Sequence, residues 1–596
     1  MATRLLAILI LLSAPSLADG AAFTSKADGN WSAVGQTTWN EVGVPGDGDT
    51  VTIATGHDIT VDVNTTVGDS PNPAANVITI NGTGTLTVAN GVTLTIKGCY
   101  RGEDGNFTLG AGSVVEFQVP SGLRYWFRTG AANADTGKLI INGTSGSRAA
   151  FRSSSGAGIA YIDSQGFTGN SLIQAEYCDF TRIGDATEDF AEPYCNASGH
   201  DFYLRYCTAT SCGELDTAVA VNTNASFELL DTKWLTTVAS KCAVLDNTAA
   251  PAMGKSRSVI GCSFDKPIDI FAAISWTITN TYFADSFAAT AGSGSWTLFE
   301  DNFIAKTTQP VTTVYGNVTD CFAYKHSVTN PHFLGMTTAR GLTVSGCVFE
   351  HGGSDEQGDC LTASAASAAY SYTATGNIVL PNSTGGVSGT LMSLLGNANN
   401  TWTINHNTYI GKLGATAAIA ETYTGHAGML TSFRSNLAWH PTSATAVVLE
   451  DSGTDDAVND YVTDLGYNGI WNGAATLYAL DVANDVANDL TANDVSGDPQ
   501  FVDETRDLAS WDASLGGAGT DSAALARIAA DPYLIDDLVT WVKAGFVPTN
   551  SAFDGTAHDG GDIGAMSYAP AGVISPITTA IPGVLYDPLT GTIPGL

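Results

Sequence analysis

The stretch Tyr177-Cys178-Asp179-Phe180 returns with variations through the middle of the chain, and this repetition decides the fold. In each copy a small or polar residue stands one or two places before an apolar one. The copies centre on Cys178, Cys207, Cys262, Tyr282, Asn302, Cys347, Asn377, Asn407 and Asn436, with weaker copies near Leu230-Asp231 and at Cys321-Phe322. Steps of roughly 20 to 30 residues between short strands, without helical spacing, are typical of a solenoid.

The recurring position predicts a row of small side chains inside the coil. Strands of successive coils lie about 4.8 Å apart, so residues at the same position become neighbours along the coil axis. Disulfides that close loops, Cys195 with Cys212 or Cys347 with Cys360, are an alternative use of the cysteines. The Trp side chains of the similar strands at 276, 296 and 402 share one face, whose direction stays open because a one-residue shift reverses it.

The composition favours turn-rich β structure and excludes some partners. The 596 residues include 65 Gly, and 24 basic residues face 59 acidic ones, for a net charge of −35. This charge repels nucleic acid and anionic membranes, so neither is expected as a partner. It also disfavours tight binding of a polyanionic polysaccharide unless Ca²⁺ bridges the two.

The first 18 residues have the pattern of a signal peptide. Arg4 provides a positive charge, residues 5–12 are apolar but too few to span a bilayer, and Ser16-Leu17-Ala18 is a small-x-small cleavage site. The mature chain is expected to begin near Asp19. Since no later stretch of the sequence is long and apolar enough to cross a membrane, we expect an exported protein that is secreted or held at the cell surface.

Residues 19–137 are interpreted as an N-terminal β cap followed by the first coils. They contain Gly29-Asn30-Trp31, Trp39, a run from Pro45-Gly46-Asp47-Gly48-Asp49 into Val51-Thr52-Ile53, and Gly56-His57. These phrases resemble the G8-like N-terminal modules of secreted right-handed β-helix proteins. The resemblance implies a right-handed parallel β-helix in an exported protein. The two Trp residues either cap the first coil or form a platform for a sugar.

The remaining chain divides into repeats at 138–449, an acidic loop and C-terminal capping region at 450–569, and a Pro/Gly-rich tail at 570–596. Helices are predicted at 522–530 and 536–544. The phrase Asp562-Ile563-Gly564-Ala565 resembles the C-terminal end of secreted β-helix repeat proteins. The predicted fold class is therefore all-β: one right-handed parallel β-helix with an N-terminal β cap and a small capping region containing short helices.

Residues 350–359 hold the densest group of candidate catalytic side chains, which are His351, Asp355, Glu356 and Asp359. Carboxylates placed so close together can differ in pKa, as glycoside hydrolysis requires. The alternative is a solvated acidic loop with an incidental histidine. A second acidic group, Asp185, Glu188 and Asp189, has the same two interpretations.

Calcium is the one cofactor that the sequence suggests. Asp485, Asp489 and Asp494 lie in an Asn/Asp-rich segment, and hard cations prefer carboxylate and carbonyl oxygens. The EF-hand spacing and the glycine-rich calcium nonapeptide are both missing from this segment. A solvated loop is the alternative.

A non-catalytic role is the favoured expectation, because the catalytic patterns of pectate lyases and polygalacturonases are missing from the repeat. The protein is then a glycan-binding, adhesin-like or structural surface protein whose partner is a polysaccharide or cell-surface glycan. The alternative is a polysaccharide hydrolase or lyase with a carboxylate and histidine site on the β-helix. The sequence leaves the glycan and the oligomeric state open.

Overall fold

The computed structural model describes residues 20–69, 75–130, 135–154, 158–164, 172–193, 201–216, 225–246, 252–271, 275–285, 287–290, 298–306, 311–312, 316–325, 334–336, 341–351, 360–363, 371–380, 392–394, 401–410, 417–422, 430–439, 447–451, 464–471, 478–479 and 493–570. The chain forms two compact units, which meet in the sequence between residues 194 and 214. In the part of the chain that is described, no helix is both long and apolar enough to cross a bilayer.

Unit 1 contains strands β1 to β18. In order, they are Ala22–Thr24, Gly29–Asn30, Thr50–Ile53, Asp58–Val61, Thr65–Val67, Asn76–Ile80, Thr85–Val88, Thr93–Ile96, Cys99–Gly102, Asn106–Leu109, Val114–Phe117, Arg124–Thr129, Lys138–Asn142, Ala149–Ser153, Ile159–Ser164, Leu172–Glu176, Cys178–Thr181 and Ala191–Pro193. Strands β19 (Asp201–Arg205) and β20 (Thr208–Thr210) are divided between the two units.

From β3 onward, strands of unit 1 pair in parallel with the strand three places further along the chain, whereas β1 pairs with β3 and β2 with β4. One row runs β1-β3-β6-β9-β12-β15-β18. A second row runs β2-β4-β7-β10-β13-β16. The third runs β5-β8-β11-β14-β17. Each coil therefore contributes one strand to each of three sheets.

Unit 2 contains strands β21 to β52. In order, they are Leu215–Asp216, Phe227–Leu230, Lys233–Leu235, Ala243–Asp246, Arg257–Ile260, Ser263–Phe264, Ile268–Phe271, Thr277–Thr279, Tyr282–Phe283, Phe287–Thr290, Leu298–Glu300, Phe303–Lys306, Val311–Thr312, Gly316–Thr319, Phe322–Lys325, Leu334–Met336, Leu342–Ser345, Val348–His351, Leu361–Ala363, Ser371–Thr375, Ile378–Leu380, Met392–Leu394, Thr401–Asn405, Thr408–Ile410, Ala417–Thr422, Leu430–Arg434, Leu437–Trp439, Val447–Asp451, Leu465–Gly466, Gly469–Trp471, Tyr478–Ala479 and Val495–Ser496.

The same parallel three-strand cycle builds unit 2. The row that includes Phe227–Leu230 is paired through to Leu465–Gly466. The row that includes Lys233–Leu235 is paired through to Val495–Ser496. The predicted parallel β-helix is confirmed. Its right hand stays a prediction, which rests on the general preference of parallel crossovers.

The repeated phrase forms a sharp corner between two strands of a coil. The residue before each small side chain has a positive φ of 48° to 68°; these residues are Tyr177, Tyr206, Asp231, Gly261, Asn280, Asp301, Asp320, Gly346, Gly376, His406, Ser435 and Tyr467. The next side chain points inside and is buried, as predicted for Cys178, Cys347 and Asn407. One copy is corrected, because Thr281 fills the inner position and Tyr282 lies one residue beyond it.

Asparagines at these corners form a hydrogen-bonded ladder. The Oδ1 of Asn407 accepts from the backbone N–H of Asn377 at 3.1 Å and from its Nδ2 at 2.9 Å. Asn407 and Asn436 repeat this pair of bonds, and so do Asn436 and Asn468. Each asparagine therefore ties its own coil to the next, and the ladder satisfies polar groups that the interior would otherwise leave unpaired.

Buried cysteines also lie at corners of the coils, as free thiols. Cys347 Sγ lies 3.5 Å from the carbonyl oxygen of Ser345, and Cys212 Sγ lies 3.5 Å from that of Thr210. Neither residue is in a disulfide, so the Cys347–Cys360 and Cys195–Cys212 bridges are wrong. Burial raises the pKa of Cys212 to about 12, which keeps this thiol protonated.

The two tryptophans near the start of unit 1 pack inside it. Trp31 and Trp39 are fully buried, with ring centroids 5.2 Å apart at 77°. Both indole N–H groups donate to backbone oxygens, that of Trp31 to Pro45 and that of Trp39 to Trp31. Their burial excludes the sugar platform, and the interpretation as a cap over the first coil stays a prediction. In unit 2, Trp276 and Trp402 are also fully buried, whereas Trp296 lies outside the described residues.

Three α-helices follow the coils, namely α1 (Leu508–Ser514), α2 (Asp521–Ala530) and α3 (Leu534–Gly545), with a 3₁₀ turn at Ser551–Phe553. The last two match the predicted helices, and α1 was not foreseen. The helices bury Trp511, Ile528 and Leu538 against the outer face of neighbouring strands of unit 2, including Phe322, Val348 and Ile378. The C-terminal segment therefore covers a side of this unit as well as following its last strand.

Polar contacts hold the helices along that side. Lys233 Nζ donates to the carbonyl of Ala530 at 2.5 Å. Lys543 Nζ contacts Asp320 at 3.0 Å and the carbonyl of Gly346 at 3.1 Å. These contacts lie at corners of different coils, so the helices link one coil to another.

Candidate functional site

Most of the sequence-predicted site residues lie outside the described part of the chain. These are the side chain of His351, and Asp355, Glu356, Asp359, Asp485 and Asp489. The catalytic and calcium sites that they would form stay predictions.

The described acidic candidates are used structurally. Asp494 Oδ1 accepts the backbone N–H of Asn468 at 2.8 Å, which continues the asparagine ladder by one coil. Asp185 Oδ1 accepts the N–H groups of Thr187 and Glu188 at 2.7 and 2.9 Å, a turn-forming pattern. Glu188 is paired with Arg124. None of these contacts by itself indicates chemistry.

Glu350, the first residue of the acidic stretch, is buried beneath the C-terminal helices. It is only 6% exposed, and its Oε2 accepts the backbone N–H of Leu508, the first residue of α1, at 2.8 Å. Burial raises the pKa of Glu350 well above its ordinary value, and Asp507 and Asp521 raise it further, whereas the Leu508 N–H lowers it. This carboxyl group fixes a helix and is closed off from substrate.

We expect Glu350→Gln to stabilise the protein relative to wild type as the pH rises. The folded protein keeps the Glu350 proton to a higher pH than the unfolded chain does, so wild-type stability falls once the pH passes the ordinary glutamate pKa of about 4.3. Glutamine keeps the acceptor oxygen and cannot ionise. Urea unfolding at about pH 4 and about pH 7 should show the variant's advantage growing between them. Glu504→Gln, at an exposed position, is the control, and an equal gain there would contradict this explanation.

An open cleft of about 530 Å³ lies at one corner of unit 1, among the residues that the structure describes, and is a candidate for binding. We call it the corner groove and define it by its lining residues, which are Asp69, Lys97, Gln118, Val119, Pro120, Tyr125 and Ser154. Four coils contribute to it, through the segments that follow β5, β8, β11 and β14, and β12 contributes Tyr125.

Backbone pairing places three of these side chains in a row. Lys97, Gln118 and Ser154 each follow the last residue of a strand, and those last residues are in register. The N–H of Lys97 donates to Val67, that of Gln118 to Ile96, and that of Ser154 to Phe117, at 2.9, 3.0 and 2.7 Å. The row therefore advances by one strand spacing, about 4.8 Å, per coil. An extended ligand could be contacted once per coil.

The charges of the corner groove largely cancel. Lys97 Nζ contacts both carboxylate oxygens of Asp47, at 2.7 and 2.9 Å, which holds its ammonium group at the edge of the groove. Burial raises the pKa of Tyr125, and nearby Cys99 and Asp69 raise it further, so the phenol is neutral. The groove thus presents an amide, hydroxyl groups, an aromatic ring and one carboxylate.

These groups are of the kinds found where proteins recognise small molecules. Sites for small molecules combine apolar and aromatic surface with a few placed polar groups. Glycoside hydrolysis uses two carboxylates, and among the described residues that line the groove only Asp69 carries one. No pattern in the sequence indicates this site, because its residues are far apart in the chain and only the strand register aligns them. Comparison of the chain with models of protein families, with curated proteins and with solved structures finds no match.

Proposed function

We propose that this protein is an exported, non-catalytic β-helix protein that binds an extended neutral glycan in the corner groove of unit 1. The observation that carries the proposal is the row of Lys97, Gln118 and Ser154, one residue per coil, beside Tyr125. A polysaccharide lying across the coils would present successive sugar units to successive members of this row. Hydroxyl groups of the glycan would pair with the amide and hydroxyl side chains.

Electrostatics favour a neutral glycan over an anionic one. The chain carries a net charge of −35, and the lysine of the groove is already paired with Asp47. An acidic polysaccharide would be repelled at long range and would find no uncommitted cation among the groove residues described. This argument supports a cell-surface or matrix polysaccharide of uncharged sugars.

The pattern of residues 1–18 and the G8-like phrases at 29–57 support export and an extracellular location within this proposal. An extracellular protein meets glycans in abundance. An adhesin-like or structural role follows if binding occurs without turnover.

The proposal is tested by affinity electrophoresis of the untagged protein through gels that contain neutral glucans, mannans, xylans or galactans, with pectin and alginate as anionic comparisons. We expect retardation by at least one neutral polysaccharide. Gln118→Ala removes an exposed amide and should weaken binding by about three- to tenfold, the value of one hydrogen bond.

Gln174→Ala is the matched control, since Gln174 also points outward from a strand of unit 1 but is not among the residues that line the groove. Retardation by none of the neutral polysaccharides, or equal binding by the two variants, would refute the assignment.

A further inference from the structure

The C-terminal segment brings three metal-binding side chains together on a corner of unit 2. His406 is a corner residue with φ 56° between the strands Thr401–Asn405 and Thr408–Ile410. His558 and Asp559 follow the 3₁₀ turn. One ligand atom from each of the three residues lies within 4.8 Å of the other two.

Backbone contacts fix the segment that carries His558 and Asp559 against this corner. The N–H of His558 donates to Ser435 Oγ at 3.1 Å, and the N–H of Gly564 donates to the carbonyl of Ser435 at 2.8 Å. The N–H of Ala565 donates to Thr408 Oγ1 at 2.8 Å. Several hydrogen bonds therefore hold the three side chains close together.

Both histidines turn the same nitrogen away from the cluster. His406 Nδ1 lies 3.2 Å from the carbonyl oxygen of Asp562, and His558 Nδ1 lies 2.9 Å from Ser435 Oγ. A metal-bound histidine typically makes such a bond with its other nitrogen, which fixes the ring and its tautomer. With Nδ1–H donating to Asp562, the Nε2 of His406 carries a lone pair.

That nitrogen is a buried atom in need of a partner. The Nε2 of His406 is shielded from solvent and makes no hydrogen bond to any described residue. It lies 3.2 Å from Asp559 Oδ2, but without hydrogen-bond geometry. A cation between the two atoms would satisfy both, and Asp559 is about half exposed, which leaves an approach from solvent.

We propose that His406, His558 and Asp559 bind a divalent transition-metal ion, with Zn²⁺ as the best fit, and that the ion clips the C-terminal segment to the coils. Two imidazoles and one carboxylate suit zinc, whereas calcium and magnesium prefer all-oxygen sites. The 3.2 Å between His406 Nε2 and Asp559 Oδ2 is close to the spacing of two ligands that each bind one zinc ion at about 2.0–2.1 Å. Arg434 is near, but its charge is paired with Asp464. The excess of acidic residues favours capture of cations.

The test is calorimetric titration of the untagged, chelator-treated protein with ZnCl₂, followed by CaCl₂ and MgCl₂. We expect one zinc ion per chain and weak or no binding of the other two. His558→Gln and Asp559→Asn should each weaken zinc binding at least about tenfold, because even changes behind the ligands cost 10–100-fold. Zinc should also raise the melting temperature of the wild type and not of these variants.

His57→Gln is the matched control. His57 also pairs its Nδ1 with a serine, Ser25, at 2.8 Å, but it belongs to unit 1, whereas His406 and His558 belong to unit 2. Circular dichroism checks that each variant folds, and Asp559→Asn changes an exposed side chain, so the test does not depend on the histidine variant. The proposal fails if wild type takes up no zinc, or if Asp559→Asn binds it as tightly as His57→Gln does.

Discussion

Replacing Asn407 by alanine should lower the free energy of unfolding of its coils by about 3 kcal/mol or more. The Nδ2 of Asn407 donates to Ala374 O at 3.0 Å, and its Oδ1 accepts two bonds from Asn377. Each buried polar group left without a partner costs about 1–3 kcal/mol, and several are orphaned together. Guanidinium unfolding, with hydrogen exchange followed over residues 371–439, measures both the size and the location of the loss.

Two comparison variants make this result specific. Asn407→Thr places in the ladder a residue that serves at the same position at 281, where its hydroxyl donates to Thr279 O at 2.9 Å. It should lose less stability than Asn407→Ala. Asn142→Ala, at an exposed strand end, should change stability little. If Asn407→Ala were as stable as Asn142→Ala, the ladder would not hold the coils together.

The second large loss of stability is expected when Leu538, in α3, is replaced by alanine. This side chain is fully buried in the cluster that joins the three helices to the outer face of the strands. Leu538→Ala should cost about 2–5 kcal/mol, the usual range for a buried leucine. Because the helices cover apolar strands, their loosening should increase binding of a hydrophobic dye and speed hydrogen exchange at residues 508–545.

Leu515→Ala is the matched control in the same segment, since Leu515 is 45% exposed. It should leave both dye binding and exchange close to wild type. Equal exchange in the two variants would mean that the helices do not depend on packing against the coils.

The repeat allowed the sequence to predict the architecture. Residues at one position of every coil must pack in the same environment. The repeated small side chains of Cys178, Cys347 and Asn407 therefore predicted which residues face the interior. The inner position predicted at Tyr282 was wrong by one residue. Thr281 occupies it, because threonine can take the place of cysteine or asparagine at this position. A hydroxyl that bonds back to a local carbonyl fills the same space.

The strand face that the three helices cover has a recognisable sequence pattern. Residues 348–350 and the strand Ile378–Leu380 are runs of consecutive buried residues, whereas Val114–Phe117 alternates between half-buried and buried ones. A strand buried on both faces reads as a continuous apolar run. The apolar runs after Cys347 and Asn377 therefore indicated that something covers this face.

The candidate sites could not be read from the sequence in the same way. Lys97, Gln118 and Ser154 are aligned only by the exact register of three strands. His406 and His558 are 152 positions apart and meet only because the C-terminal segment returns to a corner. The sequence instead drew attention to dense acidic stretches, and Glu350 shows that a carboxylate in such a stretch can be a buried structural group.

The most direct test of the account is whether the polysaccharide that the protein binds is left intact. The protein would be incubated for days with the bound neutral polysaccharide, and new reducing ends and unsaturated products would be measured. We predict saturable binding that Gln118→Ala weakens, with no new chain ends above the protein-free control. Cleavage in proportion to protein concentration, abolished in Asp355→Asn or Glu356→Gln, would contradict the account and establish the hydrolase or lyase alternative.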